Sequence, residues 1–312
     1  MTKKSNKDYT LLVVDDEAEM RNMISDYLCD TMGYTVITAK DGLDALDNVL
    51  PKNKVDLVLS DINMPRMKGF ELLNKVKERY PKIKRVLITA FNVEDYFEYA
   101  MDHDVGNIFV KTTPFNFEEL STILTNLLTN DIFGAKRYME NGAERHAIDV
   151  LHVSTLEDVA KTVTSWLPPG ENVARLELVL IELLSNAVYY GIRGEPPDKK
   201  ETWNHDFTLS KEEAIKIKVY KDSKKFAISI LDKGGKLKKK DVLYWLHRQI
   251  QKDEKGLPLG IMDSHGRGFF IVRKYIDRLL INIDTNNKTE VIIINYFDKV
   301  YSGFKPLYIN EI

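Results

Sequence analysis

The chain has 312 residues, 44% of them hydrophobic and 29% charged, with a formal net charge of −2. That balance describes folded protein with apolar material for two cores, and it argues against a basic nucleic-acid-binding face. A lone Cys29 excludes an intrachain disulfide framework, and no apolar run approaches membrane-spanning length, so a reducing, cytoplasmic setting without membrane contact is expected.

Residues 10–14, 35–39, 56–60, 85–89 and 106–110 read as short strands, each a brief apolar run. Stretches of helical period lie between them at 17–30, 42–50, 69–79 and 93–101. A fifth follows at 117–129, opened by Asn116 and Glu119 as a capping pair. Alternation of this kind predicts a five-stranded, doubly wound parallel sheet with helices on both faces. In such sheets ligands collect at the carboxyl ends of strands, and chemistry-bearing residues stand there. Asp15 and Asp16 follow Leu11–Val14, and Asp61 follows Leu57–Ser60 ahead of a turn carrying Asn63, Pro65 and Gly69. Thr89 closes the next strand and Lys111 the last. Three converging carboxylates raise one another's pKa values unless a cation joins them, and oxygen ligands with room for water and a phosphoryl group suit Mg²⁺. A hydroxyl and an ammonium beside Asp61 are what a bound phosphoryl group needs, so Asp61 is read as a phosphate acceptor.

Taken singly, an aspartate after a strand is a turn or cap residue, and a lysine there is a solvated one. Five such residues at the ends of four strands are a pattern, and residues 9–130 resemble a two-component receiver domain. The resemblance implies Asp15 and Asp16 as an acidic metal pair, Asp61 as the phosphorylated residue, and Asn63 as a carbonyl ligand of the metal. It likewise implies Thr89 as the switch hydroxyl, Phe109 as the switch aromatic, Lys111 as the partner of the phosphate, and an upstream sensor histidine kinase. One departure stands out. Receivers usually carry proline directly after the lysine, whereas Thr112 and Thr113 intervene here before Pro114.

A polar stretch opens at Asn130-Asp131-Ile132-Phe133-Gly134 and runs to about Arg145, so the expected domains are 1–130 and 146–312 with a connector at 131–145. A strand is expected at 147–153, then a helix from a Ser154/Glu157 capping box to about Leu167, ended by Pro168-Pro169-Gly170. The next helix, from Arg175 to Gly191, is apolar nearly all round and is expected to be mostly buried. Glu182 and Asn186, four apart, share one of its faces, and a carboxylate on a buried helix calls for a ligand or metal.

Strands at 214–221 and 225–232 lead to Asp232-Lys233-Gly234-Gly235, where glycines allow a flat ligand close to the backbone. A helix at 239–251, a polar, mobile loop at 252–264, and a helix opened by Ser264-His265-Gly266-Arg267-Gly268 follow. Strands at 279–284 and 289–297, joined by Asn286-Asn287, complete the half. Together these motifs resemble the ATP-binding domain shared by histidine kinases, gyrase and heat-shock chaperones. Residues 146–297 look most like the anti-sigma-factor serine kinases. That implies an α+β sandwich with a mixed sheet and helices on one face. It also implies Asn186 on Mg²⁺, Glu182 orienting or deprotonating an attacking hydroxyl, and Asp232 accepting the adenine amino hydrogen. Gly266 and Gly268 would cradle phosphate, with Gly234 against the base and Arg267 or His265 reaching the γ-phosphate. The pattern departs from the commoner Asp-x-Gly-x-Gly, since Gly235 directly follows Gly234.

The expected function is a response regulator whose receiver controls an ATP-binding, serine/threonine-kinase-like output of the partner-switching type, acting on a sigma factor or its antagonist. Pairing of both domain types in their families implies a homodimer. Two rivals stand beside it. One is a sequestering module that phosphorylates nothing; the other is an atypical hybrid histidine kinase, for which His146 and His152 lack the long amphipathic helix such a histidine needs. Nothing after residue 130 resembles a basic recognition helix.

Overall fold

Five apolar runs pair side by side, in parallel, as the sheet of the first unit. These are β1 (Thr10–Val14), β2 (Thr35–Ala39), β3 (Leu57–Asp61), β4 (Lys84–Thr89) and β5 (Asn107–Val110), in the order β2-β1-β3-β4-β5. Every residue of β3 and β5 is buried, as expected of strands covered by helices on both faces. Helices α1 (Ala18–Asp26), α2 (Gly42–Asp44), α3 (Gly69–Arg79), α4 (Phe97–Asp102) and α5 (Phe117–Thr129) connect or follow these strands. α1 and α2 continue as wider turns, to Thr31 and Val49. The Asn116 cap on α5 is formed: its Oδ1 accepts from Glu119 N–H at 3.1 Å, and its Nδ2 donates to Glu119 Oε2 at 2.7 Å. The strand order reverses between β1 and β3, and a crevice at such a switch point lies beyond the carboxyl ends of those two strands.

The computed structural model describes residues 5–168, 173–195, 206–252, 254, 259 and 267–312. The chain divides into two units, Met1–Ile132 with Tyr301–Pro306, and Phe133–Val300 with Leu307–Ile312. The return of six late residues to the first unit has no signature in the sequence pattern.

The second unit is a mixed sheet with helices. Its strands are β6 (Glu144–Val150), β7 (Ile215–Lys221), β8 (Lys225–Asp232), β9 (Arg278–Asp284), β10 (Lys288–Tyr296) and β11 (Leu307–Glu311). They run in the order β11-β9-β10-β8-β7-β6, antiparallel except for β11 against β9. β6 begins three residues earlier than expected, because pairing with β7 starts at Glu144, so Glu144 and Arg145 lie in a strand and not in the connector. Helix α6 (Leu156–Ser165) has Thr155 as its N-cap with no side-chain cap bond, because a short 3-10 turn at Val153–Thr155 displaces the expected Ser154/Glu157 box. α7 (Val173–Asn186) continues in wider turns to Arg193 and stops at Gly194, whose φ of 65° favours glycine. It packs against α6 and against α9 (Gly268–Tyr275), and α8 (Lys239–Ile250) also meets α9. Burial of α7 is one-sided and not all round: Leu176, Val179, Leu180, Leu183 and Leu184 are buried, while Leu178 is exposed. Most of the polar loop expected at 252–264, the proline-glycine stop at 169–170, His265 and Gly266 lie outside the described residues.

One face of this sheet carries a buried polar row across four strands. Glu290 on β10 accepts from Ser229 Oγ at 2.5 Å, from Asn282 Nδ2 at 3.3 Å and from the Gly134 N–H at 2.7 Å. Asn310 on β11 extends the row to Asn282 at 2.8 Å. Three donors satisfy a carboxylate that would otherwise be costly to bury, and they fix the start of the unit onto its sheet.

Candidate functional site

At the carboxyl ends of β1, β3 and β5, three side chains meet. Lys111 Nζ donates to Asp15 Oδ2 at 2.9 Å and to Asp61 Oδ1 at 2.6 Å, so one ammonium bridges two carboxylates. Asp15 is 1% exposed and Asp61 7%. Burial pushes the Asp61 carboxyl up, and Lys111 only partly offsets this. For Lys111 burial pulls the other way, but the two carboxylates outweigh it and hold the ammonium above its ordinary range. The ammonium therefore keeps its charge, and the cluster stays joined.

The loop after β3 completes the setting. Asn63 N–H donates to Asp61 Oδ2 at 2.6 Å, and Asn63 Nδ2 donates to the Tyr96 hydroxyl at 2.8 Å. Gly69 passes so close that a Cβ would lie 2.1 Å from the Asp61 carbonyl oxygen, which only glycine permits. Arg66 pairs with Asp41 across the same end of the unit. Thr89 is buried at the end of β4, with its Oγ1 accepting from the Phe91 N–H at 3.0 Å. Phe109 is buried beside Phe115, at 5.5 Å between ring centroids.

The expected convergence of three carboxylates is not what the structure shows. Asp15 and Asp61 are joined through Lys111, whereas Asp16 is exposed. Among the described residues, no group of three or more His, Cys, Asp or Glu stands close enough to hold a metal ion. The donor chemistry still suits Mg²⁺, which is commonly held by one or two carboxylates together with water and phosphate oxygens.

The second unit holds a separate, partly open cleft with a cavity volume of about 30 Å³. Asn186, Tyr190, Asp232 and Thr289 line it, with apolar walls that include Leu183 and Phe269. Glu182 adjoins it: a Cβ on Gly268 would lie 3.1 Å from both Glu182 Oε2 and Asn186 Nδ2. Glycine thus lets α9 begin hard against the polar face of α7. Asp232 is 4% exposed, and its Oδ1 accepts from the Gly234 and Gly235 N–H groups at 2.9 and 3.3 Å. Burial, incompletely offset by those amides, pushes its carboxyl up to about 6. Gly191 makes room for it, since a Cβ there would come 2.7 Å from the Asp232 carboxyl carbon. Arg267 is exposed at the N-cap of α9.

Two lining residues have no counterpart in the sequence reading. Tyr190 lies four positions beyond Asn186, a spacing that could have revealed it, and burial pushes its hydroxyl up to about 12. Thr289 lies opposite Asp232 across the β8–β10 ladder, and its buried hydroxyl has no hydrogen-bond partner among the described residues. No local signal marks Thr289, because pairing 57 residues apart brings it to the cleft. His146, on β6, stacks on Trp166 at 4.9 Å between ring centroids.

The response regulator receiver domain model matches residues 11–125. A protein of Pyropia yezoensis described as probable transcriptional regulator ycf29 is 33% identical over 184 residues, which make up 58% of this chain and 80% of that protein. The chain belongs to the response regulator receiver family. Receiver sequence also relates it to sensor histidine kinase RcsC of Salmonella typhimurium, 45% identical over 89 residues, or 28% of this chain. The chain spans only 9% of the length of that kinase. Among solved structures, the chemotaxis response regulator CheY4 of Vibrio cholerae is 33% identical, covers 38% of this chain and 98% of its own, and has a TM-score of 0.35. No helix among the described residues is long and apolar enough to cross a membrane.

Proposed function

We propose that the protein is a response regulator phosphorylated on Asp61, and that its second unit is an ATP-binding output of the serine/threonine-kinase type that acts on a partner protein. At the first site, an Asp61 oxygen attacks the phosphorus of a phosphohistidine donor. A P–O bond forms, the P–N bond breaks, and its electron pair leaves with the imidazole nitrogen. Lys111 faces the added charge and Thr89 hydrogen-bonds a phosphoryl oxygen. Asp15, Asp61 and the Asn63 carbonyl would hold Mg²⁺, which would neutralise charge on the transferring group.

The reading of the second unit rests on one observation: Glu182, Asn186, Gly268 and Asp232 gather about one cleft that also contains an unpartnered buried hydroxyl, Thr289. An unpaired hydroxyl between apolar walls is what a flat, hydrogen-bonding ligand such as adenine would satisfy. Asp232 accepts the adenine amino hydrogen, while Gly234 makes room for the Gly191 backbone packed against it. Asn186 would hold Mg²⁺ on the phosphates, which would lie against the start of α9 at Arg267 and Gly268. Glu182 takes the proton of a partner Ser or Thr hydroxyl as its oxygen attacks the γ-phosphorus, and the breaking P–O bond leaves its electrons with ADP. The partner would be a sigma factor or its antagonist.

Incubation with labelled ATP and co-purified partners tests this, wild type beside Glu182→Ala. Label on a partner Ser or Thr that disappears in the variant supports a kinase. ATP binding without transfer to any partner overturns catalysis and leaves a sequestering module.

A further inference from the structure

The two extra residues after Lys111 have a definite use in the fold. Thr113 N–H donates to the Ser302 carbonyl at 2.8 Å, and Ser302 N–H donates to the Thr113 carbonyl at 2.9 Å. The two bonds make an antiparallel bridge, the reciprocal pair by which one extended segment binds the edge of another. Gly303, at a φ of 145°, follows at once, and a Cβ on it would lie 3.3 Å from Thr112 Cγ2 and 3.4 Å from its Cα. The other side of the bridge is stiff. Thr112 is buried, and its hydroxyl donates to the Pro114 carbonyl at 2.8 Å. Lys111, two residues before Thr113, is fixed at its backbone by a 2.8 Å bond to the Thr89 carbonyl and at its ammonium by Asp15 and Asp61. Any shift of Lys111 is therefore passed along a short, hydrogen-bonded loop to the strand paired with it.

We propose that Tyr301–Pro306 is an intramolecular ligand of the β5–α5 loop, bound edge to edge at Thr113, and that the state of Asp61 controls how firmly it is held. This rests on the reading of Asp61 as the phosphate acceptor. The inserted Thr112-Thr113 pair supplies the pairing edge. Phosphorylation sets new charge in front of the Lys111 ammonium, which must divide its bonds afresh between Asp15, Asp61 and the phosphoryl oxygens. Pro306 directly precedes Leu307, the first residue of β11, so the chain itself carries a change in this segment into the second unit's sheet. Coupling is reciprocal: what phosphate does to the segment, loss of the segment does to phosphorylation.

Hydrogen–deuterium exchange on the full chain tests the proposal, read on peptides covering 110–117 and 298–306 with and without beryllofluoride. Two variants, Gly303→Val and Ser302→Pro, are compared with wild type. The first crowds Thr112 and the second removes one donor of the bridge. Both peptides should be protected in the wild type, change together on beryllofluoride, and lose protection together in both variants. Both variants should also change the rate of phosphorylation by a small phosphodonor about fivefold or more. Exchange of 298–306 at open-chain rates in the untreated wild type would overturn the proposal. So would release of 298–306 in the variants with 110–117 and the phosphorylation rate unaltered. Intact mass separates the two readings. Phosphate on Asp61 with no change in 298–306 overturns the proposal alone, whereas no phosphate on Asp61 overturns the acceptor assignment and the coupling with it.

Discussion

Asp61 and Asp232 are both buried carboxylates ending a strand, yet their surroundings differ. Asp61 lies against the Lys111 ammonium at 2.6 Å, and the same ammonium serves Asp15 at 2.9 Å. Among the described residues, Asp232 has two backbone amides and no ion pair, and its neighbour across the ladder, Thr289, has a hydroxyl with no hydrogen-bond partner. The first site sets one ammonium against two carboxylates and so meets part of their charge with its own residues. The second carries unmet hydrogen-bonding demand, which a bound ligand would relieve. An internal counter-charge suits a site that would receive a phosphoryl group, and unmet demand suits one that would bind a ligand.

Substitutions sharpen this contrast, and the largest effect is loss of chemistry. Asp61→Asn should take up no phosphate from a small donor, read by intact mass, since the amide is no nucleophile; uptake equal to wild type would move the acceptor elsewhere. Next comes Lys111→Met. It leaves two buried carboxylates unpaired and should destabilise the first unit by about 3–5 kcal/mol in urea unfolding at neutral pH. The gap should narrow in acid, as Asp61, whose carboxyl burial pushes up, takes up a proton. A change within experimental scatter would mean that the ammonium is not balancing them.

Asp232→Asn should act in the opposite direction. The folded-state pKa of about 6 lies above the ordinary 3.8, so the native state binds this proton more readily than the unfolded chain. The cost of the buried carboxylate is therefore small below the unfolded value, grows as pH rises, and is complete above the folded one. At 1.36 kcal/mol per pKa unit, a two-unit difference amounts to about 3 kcal/mol. The amide variant should be more stable than wild type by up to that amount at neutral pH, with the gain fading toward pH 4. Equal stability at both pH values would mean that Asp232 is not held at such a cost. The smallest effect belongs to Thr289→Val, which replaces an unpartnered hydroxyl with a methyl of similar shape. Its stability should stay within about 1 kcal/mol of wild type, and a larger loss would reveal a hydrogen bond to Thr289.

What could be read in advance followed from how local each feature is. The first unit's strands and the residues at their ends were legible because each sits on one short apolar run closed by its own chemistry, as with Leu57 to Asp61. Glu182 and Asn186 were legible because helical spacing alone puts them on one face. Residues united by distant pairing were not. Thr289 reaches Asp232 only through the β8–β10 register, and Ser302 reaches Thr113 across 189 residues of sequence. β11 lacked the long alternating pattern that marks a strand, and it exists because β9 offers it an edge. The three-carboxylate cluster failed for a different reason. The ammonium of Lys111 fills the space between Asp15 and Asp61, and Asp16 turns outward.

The most direct test of the second site's unmet demand is thermal unfolding of the full chain with and without Mg²⁺ and ATP, wild type beside Asp232→Asn at neutral pH. The wild type should gain several degrees on adding nucleotide, as expected of a ligand that binds only the folded state. The variant should start higher and move little. A wild-type midpoint unmoved by saturating nucleotide, or an equal gain in both proteins, would contradict the assignment of this cleft to ATP.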